Sequence, residues 1–396
     1  MFKLKPLPTW VAALAIGALL PMSALAQDKE PVQIGLLTSI SGVFSENGSE
    51  VQRAVQFAID EANEKGGIGG RPVKVEVADD ESTPETGRRA GEKLARDGYN
   101  LLVGTIASSI SLAVAPSLDR WDAMLVTALS KSNKITGDSC KPRMFRATQS
   151  DAMDIAMINE WVKSFKEKTY ASIAADYVWG HDSSDSFAKA VKGEGKDVKL
   201  ALFVPMGSKD FSPYIAQLKA ADVDAIWVAE VGRDILGFVK QAQEFGLIPH
   251  TKLIGHALIL NAVVNGTGDA LLGTDGTALY APEIDTPLNK VFVASWKAKF
   301  GRLPMDIEAL SYNAVQLVFE GVKRSGSVKP ADVAAALRGA TLDTIFGSVV
   351  MRAEDNQLMM PSYVARVETV DGVVRPVIEQ TFPPSLIPPP SPLCKM

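Results

Sequence analysis

The chain has few of the residues that carry most metal and enzyme chemistry. Its 396 residues include two cysteines and three histidines, and none of them forms a CxxC or an HxxxH motif. The sequence also lacks the nucleotide-binding patterns GxGxxG and GxxxxGK[ST] and the nucleophile elbow GxSxG. We therefore expect no metal site, no cofactor and no enzyme activity.

The chain also lacks an excess of charge of either sign. It has 41 lysine and arginine residues against 46 aspartate and glutamate residues, and its formal net charge is −5. A nucleic-acid-binding protein usually concentrates positive charge, so this balance predicts no nucleic-acid partner. We expect a monomeric protein of about two domains.

Long apolar runs are absent beyond the N-terminus. There, Lys3 and Lys5 precede an apolar stretch from Trp10 to Leu20, and the sequence Ala24-Leu25-Ala26 fits the small-residue rule for signal cleavage. The run is too short to span a bilayer, so residues 1–26 are predicted to be a cleaved secretory signal. An uncleaved anchor is the alternative.

Export would place the two cysteines in an oxidising compartment, where disulfides form. In an oxidising compartment, Cys140 and Cys394 are expected to form a disulfide, and two free thiols are the alternative. Cys394 ends the proline-rich sequence PPSLIPPPSPLC, and proline favours an extended path. Residues 381–396 are therefore predicted to be a strap over the surface, pinned by the disulfide.

Strands and helices alternate along the mature chain. The apolar strand Val32–Leu37 precedes a helix with apolar residues from Val51 to Ala62 at helical spacing, and further strand–helix pairs follow, including a helix from the GTIASSIS loop to Trp121. A break at residues 145–149 separates two such blocks. The pattern predicts an α/β fold with mostly parallel sheets covered by helices on both faces.

Three polar loops follow strands of the first block, where parallel sheets bind ligands. They are SISGVFSENG, GTIASSIS and ALSKSN, and they contain Phe44, Ser108, Ser109 and Ser130. Phe44 is expected to be exposed in its polar loop. The serine hydroxyls and the backbone N–H groups of the next helix could hold a carboxylate. Serines that only cap helices are the alternative.

Several segments resemble the branched-chain amino-acid-binding receptors of bacterial ABC transporters. They are GGIGGRPVKVEVADDESTPETGRRAGEKL, DYVWGHD, GSKDFSPYIAQLKAADVDAIWVA and KQAQEFGL, within a resemblance over residues 32–366. The resemblance implies a periplasmic location, a membrane permease as partner and a two-lobed fold with three crossovers. Lobe one would hold residues 27–147 and 281–350, and lobe two residues 148–280 and 351–380.

The resemblance also implies ligand-binding residues. The serine that holds the amino acid's carboxylate aligns with Ser108, and the next polar pair aligns with Ser130 and Lys131, where the family usually has threonine second. A capping aromatic residue aligns with Trp179. The family's acid for the ligand's ammonium group falls near Ala257, beside His256. Glu230 could replace that acid in a looser alignment.

These departures favour a ligand without an amine. A buried ammonium group needs a charge partner, whereas Lys131 suits an anion. Phe44 and Trp179 could enclose a flat body. We therefore expect a small carboxylate, such as an aromatic acid. The alternatives are a solvent-facing Lys131, a Trp179 that only packs the core, a neutral amino acid or amide as ligand, and a sensor with the same fold.

Overall fold

A computed structural model describes residues 1–5 and 29–396. The predicted cleavage site after Ala26 and the apolar run before it lie outside the described residues. Among the helices that the structure describes, none is long and apolar enough to cross a membrane.

The first third of the described chain forms a five-stranded parallel sheet. Its strand order is β2-β1-β3-β4-β5. The strands are β1 (Val32–Thr38), β2 (Val73–Asp79), β3 (Leu101–Gly104), β4 (Met124–Thr127) and β5 (Met144–Arg146). Three helices connect them: α1 (Ser45–Glu64), α2 (Pro84–Arg96) and α3 (Ser108–Val114). Strands β1, β3, β4 and β5 are almost wholly buried, as expected for a sheet covered on both faces.

The helix predicted to reach Trp121 is shorter in the structure. Helix α3 ends at Val114, and a 3₁₀ turn, Ala115–Ser117, follows it. Pro116 explains the difference, because proline has no N–H with which to continue the α-helical hydrogen bonds.

The second α/β unit is built on a seven-stranded sheet. Its parallel strands are β6 (Thr169–Ala175), β7 (Asp197–Val204), β8 (Ala225–Ala229), β9 (Lys252–Gly255) and β10 (Asp275–Ala278). Its helices are α4 (Asp151–Val162), α5 (Val178–Gly193), α6 (Ser212–Ala220), α7 (Gly232–Glu244) and α8 (Asn261–Thr267).

The chain then returns to the five-stranded sheet. Helices α9 (Pro287–Phe300), α10 (Asp306–Ser325) and α11 (Pro330–Leu337) follow, and α10 and α11 pack against that sheet. A small antiparallel sheet comes next, with strands β11 (Thr341–Thr344), β12 (Gly347–Met351) and β13 (Leu358–Met359).

The chain ends on the seven-stranded sheet. Antiparallel strands β14 (Ser362–Val370) and β15 (Val373–Phe382) extend that sheet, whose order is β15-β14-β10-β9-β8-β6-β7. The chain therefore passes between the two large sheets after β5, after β10 and after β13. The predicted α/β fold with mostly parallel sheets is confirmed.

A disulfide joins Cys140 to Cys394, as predicted. The tail after β15 runs back across the connections between the two sheets, where Arg352 donates a 2.7 Å hydrogen bond to the carbonyl of Pro388. The tail thus begins on the seven-stranded sheet and ends covalently at a loop of the five-stranded sheet.

Candidate functional site

A cavity lies between the carboxyl ends of the two large sheets. Loops after β1, β3 and β4 form one wall, and loops after β6, β8, β9 and β10 form the opposite wall. The volume that the centres of water molecules could occupy is about 80 Å³. One water needs roughly 10–15 Å³, so there is room for a small ligand.

Apolar side chains make up most of the cavity wall. Ile106, Leu129 and Ile307 come from the elements of the first sheet. The opposite side contributes Val231, Ile235, Leu236, Ala257, Leu260, Ala262, Val263 and Leu279. A few polar groups interrupt this surface, which is the usual composition of a small-molecule site.

Phe44 lies in the cavity wall and is only 1% exposed, so its expected exposure is wrong. The polar loop around it is held against the loop after β2, because the backbone N–H of Phe44 donates to Ser82 Oγ, which in turn donates to the carbonyl of Ser41. Gly48 permits this turn: a Cβ there would lie 1.7 Å from the carbonyl oxygen of Ser39. The ring of Phe44 packs in a core cluster with Ile110 and Trp179.

The three predicted serines have different positions. Ser108 lines the cavity, and its Oγ accepts a 3.1 Å hydrogen bond from the backbone N–H of Ser132. The N-cap position of α3 is held by Ala107, without a side-chain hydrogen bond, so Ser108 is the first helical residue and not a cap. Ser109 and Ser130 are not part of the cavity wall.

Ser130 belongs to a buried hydroxyl network behind the wall. Its Oγ accepts a 2.7 Å hydrogen bond from Ser111 and lies 3.2 Å from the hydroxyl of Thr105. These bonds join the loops after β3 and β4. The network holds in place the loops that present Ser108 and Lys131.

Lys131 lines the cavity and forms an ion pair with Asp154 of α4. Lys131 is 8% exposed and Asp154 is 2% exposed. The side chain therefore points inwards and not into solvent. Its positive charge is already balanced by a carboxylate, which the sequence alone did not indicate.

His256 lies behind the cavity wall, next to this ion pair. Its Nε2 is 3.2 Å from Asp154 Oδ2, and its Nδ1 is 3.4 Å from Asp151 Oδ1 and 2.6 Å from Ser183 Oγ. The side chains of Asp151, Asp154 and His256 form the Asp–Asp–His group, and all three are buried.

The Asp–Asp–His group has the residue types of a metal site. Its candidate ligand atoms lie within 4.8 Å of one another. However, the ammonium group of Lys131 already contacts the Asp154 oxygen that faces His256. A metal ion at this position would be repelled by Lys131, so an ion pair and not a metal completes the group.

Burial separates the charge states of these residues. It raises the pKa of Asp151 well above the ordinary value, more than the Lys131 charge lowers it. Burial also opposes ionisation of Asp154, but Lys131 and His256 outweigh it, so the pKa of Asp154 is lowered. For His256, burial lowers the pKa. The surroundings therefore favour the ionised form of Asp154 and the neutral forms of Asp151 and His256.

Aromatic rings cover the cavity on the side of the seven-stranded sheet. Trp179 and Tyr177 both line it, with their ring centroids 6.0 Å apart. Trp179 is 4% exposed, and its Nε1 has no hydrogen-bond partner among the described residues. Its ring also lies 5.8 Å from that of His256. Trp179 therefore belongs both to the cavity wall and to the packing around the Asp–Asp–His group.

Two acids near the cavity differ in their access to it. Glu230 is fully buried outside the cavity wall, and burial, with a smaller contribution from Asp234, raises its pKa to about 9. Glu46 lines the cavity and is exposed to solvent. Among the described residues, Glu46 is thus the only carboxylate in the cavity wall.

Direct contacts between the two units close one edge of the cavity. Arg233 donates from its backbone N–H to the carbonyl of Val43 and from its guanidinium group to the carbonyl of Gly42, at 3.2 and 2.7 Å. Gly232 has a φ of +54°, and a Cβ there would lie 2.4 Å from the Val43 oxygen. Only glycine allows this approach without strain.

Sequence reasoning missed Asp154, Asp151, Tyr177 and Glu46. A signal for the first two was available. Asp151 and Asp154 are three residues apart in the apolar helical segment DAMDIAM, so both fall on one face of α4. Acids on an otherwise apolar face need a nearby partner. Tyr177 and Glu46 have no comparable signal, because only the tertiary structure brings their loops to the cavity.

Comparisons with known proteins agree with this architecture. The profile of a family described as "Periplasmic binding protein" matches residues 31–372. The "Leu/Ile/Val-binding protein homolog 4" of Brucella abortus is 24% identical over 371 residues, which cover 90% of this chain and 88% of that protein. The leucine-, isoleucine-, valine-, threonine- and alanine-binding protein of Pseudomonas aeruginosa is 26% identical, and the alignment covers 85% of this chain and 89% of that protein.

A solved structure gives a second ligand class. The ABC-transporter solute-binding protein of Rhodopseudomonas palustris BisB5, in complex with 3,4-dihydroxybenzoic acid, is 25% identical, with a TM-score of 0.83. The alignment covers 90% of this chain and 98% of that one. These proteins are binding proteins and not enzymes, as the sequence predicts.

Proposed function

Because the chain belongs to the periplasmic binding protein family, we propose that it is a periplasmic receptor that binds a small organic acid and delivers it to an ABC permease. The predicted signal in residues 1–26 supports export, and the permease follows from the family. We propose an aromatic monocarboxylate as the ligand class.

The observation that carries this proposal is the chemistry of the cavity wall. Phe44, Tyr177 and Trp179 offer aromatic faces, and aliphatic side chains fill most of the remainder. Ser108 and Lys131 are the groups suited to a carboxylate, and they lie on the same side of the cavity. Ala257 lines the cavity where the family resemblance places the acid for an ammonium group. The wall therefore fits a flat monoacid.

A neutral amino acid is the second candidate, and Glu46 favours it. This exposed carboxylate lines the cavity and could pair with an ammonium group. The Pseudomonas aeruginosa relative is named for amino acids of this kind. An ion pair at an exposed carboxylate contributes little to the binding free energy, so we place this candidate second.

A thermal-shift screen tests the proposal. The mature protein is unfolded and refolded to remove bound molecules, then heated with benzoate, 4-hydroxybenzoate, aliphatic acids, leucine, valine and alanine. A ligand of the folded state raises the melting temperature with its concentration, in proportion to ln(1+[L]/Kd). We expect the aromatic acids to give the largest shifts. A larger shift with leucine than with any monoacid would contradict the proposal.

A further inference from the structure

The Asp–Asp–His group lies directly behind the part of the cavity wall that would receive a carboxylate. Lys131 lines the cavity and contacts Asp154 on its far side. Ala257 also lines the cavity, and His256 precedes it in the chain. One side chain and one peptide unit therefore separate the ligand position from the buried acids and the imidazole.

This group has unpartnered polar atoms. Both carboxyl oxygens of Asp151 have no hydrogen bond within the described structure, and the Nε2 of His256 has Asp154 Oδ2 as its neighbour at 3.2 Å. Asp151 is 0% exposed and His256 is 1% exposed. The imidazole of His256, with a carboxyl oxygen near each ring nitrogen, is the part of the group that can take up a further proton.

The charges around the group balance before a ligand enters. The charges of Lys131 and Asp154 cancel in their ion pair, and burial favours the neutral forms of Asp151 and His256. Three other charged or titratable groups face it. Asp182 raises and Arg146 lowers the pKa of Asp151. The third is Tyr177, whose pKa is raised mainly by burial and further by Asp151 and Glu230. Ser183, Trp179 and Trp227 complete its surroundings without charge.

A carboxylate ligand would add one negative charge to this balanced site. A buried charge without a partner is costly, and the carboxylate would compete with Asp154 for the single charge of Lys131. A proton from solvent restores the balance. His256 lies between the two acids, with Nε2 3.2 Å from Asp154 Oδ2 and Nδ1 3.4 Å from Asp151 Oδ1, so its imidazole can take up such a proton.

We propose that carboxylate binding beside Lys131 is coupled to the uptake of one proton by the Asp–Asp–His group. This inference rests on the proposed organic-acid function. The ligand enters as an anion, a proton comes from solvent, and the complex gains no net charge. The receptor would thereby bind an organic acid together with the proton needed to neutralise it.

Calorimetric titration in buffers of different ionisation enthalpy measures this proton directly. Benzoate is the probe, because it stays ionised throughout, and 4-hydroxybenzoate is the second probe. At pH 7.5 we expect an uptake of about one proton per bound ligand and an affinity that rises about tenfold per unit fall in pH towards 6.5. Asp306, with a pKa of about 6, remains ionised at pH 7.5.

Variants then identify the residues that hold the proton. Asp151→Asn combined with His256→Gln should reduce the uptake to near zero. The matched control is His250→Gln, an exposed histidine, which should leave the uptake unchanged. If the double variant does not fold, the buffer series on the unmodified protein decides alone.

Three outcomes would overturn the inference. If benzoate binds without proton uptake, the inference is wrong and the proposed function stands. Uptake that persists in the double variant places the proton on a group other than Asp151 and His256. Absence of binding by both aromatic acids overturns the proposed function and the inference together.

Discussion

Asp306 and Asn261 exchange two hydrogen bonds across the cavity edge. The backbone N–H of Asn261 donates to Asp306 Oδ2 at 3.0 Å, and the backbone N–H of Asp306 donates to Asn261 Oδ1 at 3.2 Å. Each residue is the first of its helix, α8 for Asn261 and α10 for Asp306. Since the two helices belong to different units, this pair holds the cleft closed.

Replacing Asn261 with alanine should weaken ligand binding. The change removes one hydrogen bond across the cleft, which contributes about 1 kcal/mol, or roughly fivefold in affinity. Calorimetric titration of the bound acid gives the measurement. Asp269→Ala, an exposed residue in the turn after the same helix, is the control and should leave affinity unchanged. Equal affinities in the two variants would show that the pair does not support closure.

Ligand binding should tighten further between pH 6.5 and pH 5. Burial raises the pKa of Asp306 to about 6, although hydrogen bonds from Asn261 and Ile307 lower it in part. Opening the cleft would return Asp306 to water and lower its pKa, so the closed form binds the proton more tightly. Acidification therefore favours closure, by up to about tenfold over this range. Titrations at several pH values should show this dependence, and Asp306→Asn should remove it.

Replacing Ser108 with alanine should weaken carboxylate binding by roughly 1.5–3 kcal/mol, as expected for a hydrogen bond to a charged group. The backbone N–H of Ser132 also loses its acceptor, so stability should fall as well. Ser109→Ala is the control, because Ser109 lies outside the cavity wall. Affinity is measured by titration and stability by urea unfolding. Lower stability with unchanged affinity would indicate a purely structural role for Ser108.

A monoacid should bind at least about tenfold more tightly than leucine, isoleucine or valine, a difference of about 1.4 kcal/mol. Removing Lys131 alone would leave Asp154 buried without its partner, so the informative variant is Lys131→Met with Asp154→Asn. This pair should reduce the preference for the monoacid. If leucine binds best in the unmodified protein, the proposed preference for a monoacid is wrong. In that case Glu46→Gln should weaken leucine binding.

The Cys140–Cys394 disulfide should contribute to stability by constraining the unfolded chain. Replacing both cysteines with serine should lower the free energy of unfolding by roughly 2–5 kcal/mol. Urea unfolding with and without reductant provides the measurement, and the serine variant should not respond to the reductant. Peptide mapping without reductant should find the two cysteine peptides joined. Two alkylatable thiols in the exported protein would contradict the disulfide.

The sequence predicted those features that local patterns encode. Strand and helix periodicity, with glycine and proline at the boundaries, led to an α/β fold with mostly parallel sheets. Polar loops at strand ends pointed to Phe44 and Ser108, which line the cavity, and to Ser109 and Ser130, which do not. Lys131, which also lines it, was indicated by the family resemblance. The predicted export to an oxidising compartment, together with the presence of two cysteines, led to the prediction of the disulfide. Each of these inferences depends on residue type and neighbours in the chain.

Only the tertiary structure decided which charges meet. Lys131 and Asp154 are 23 positions apart, and His256 lies another 102 positions away, yet the crossing between the two sheets brings them together. It also buries Phe44 against Trp179 and excludes Glu230 from the cavity wall. The charge on each buried group depends on its distance to partners and on its loss of water. Neither quantity is present in the order of residues along the chain.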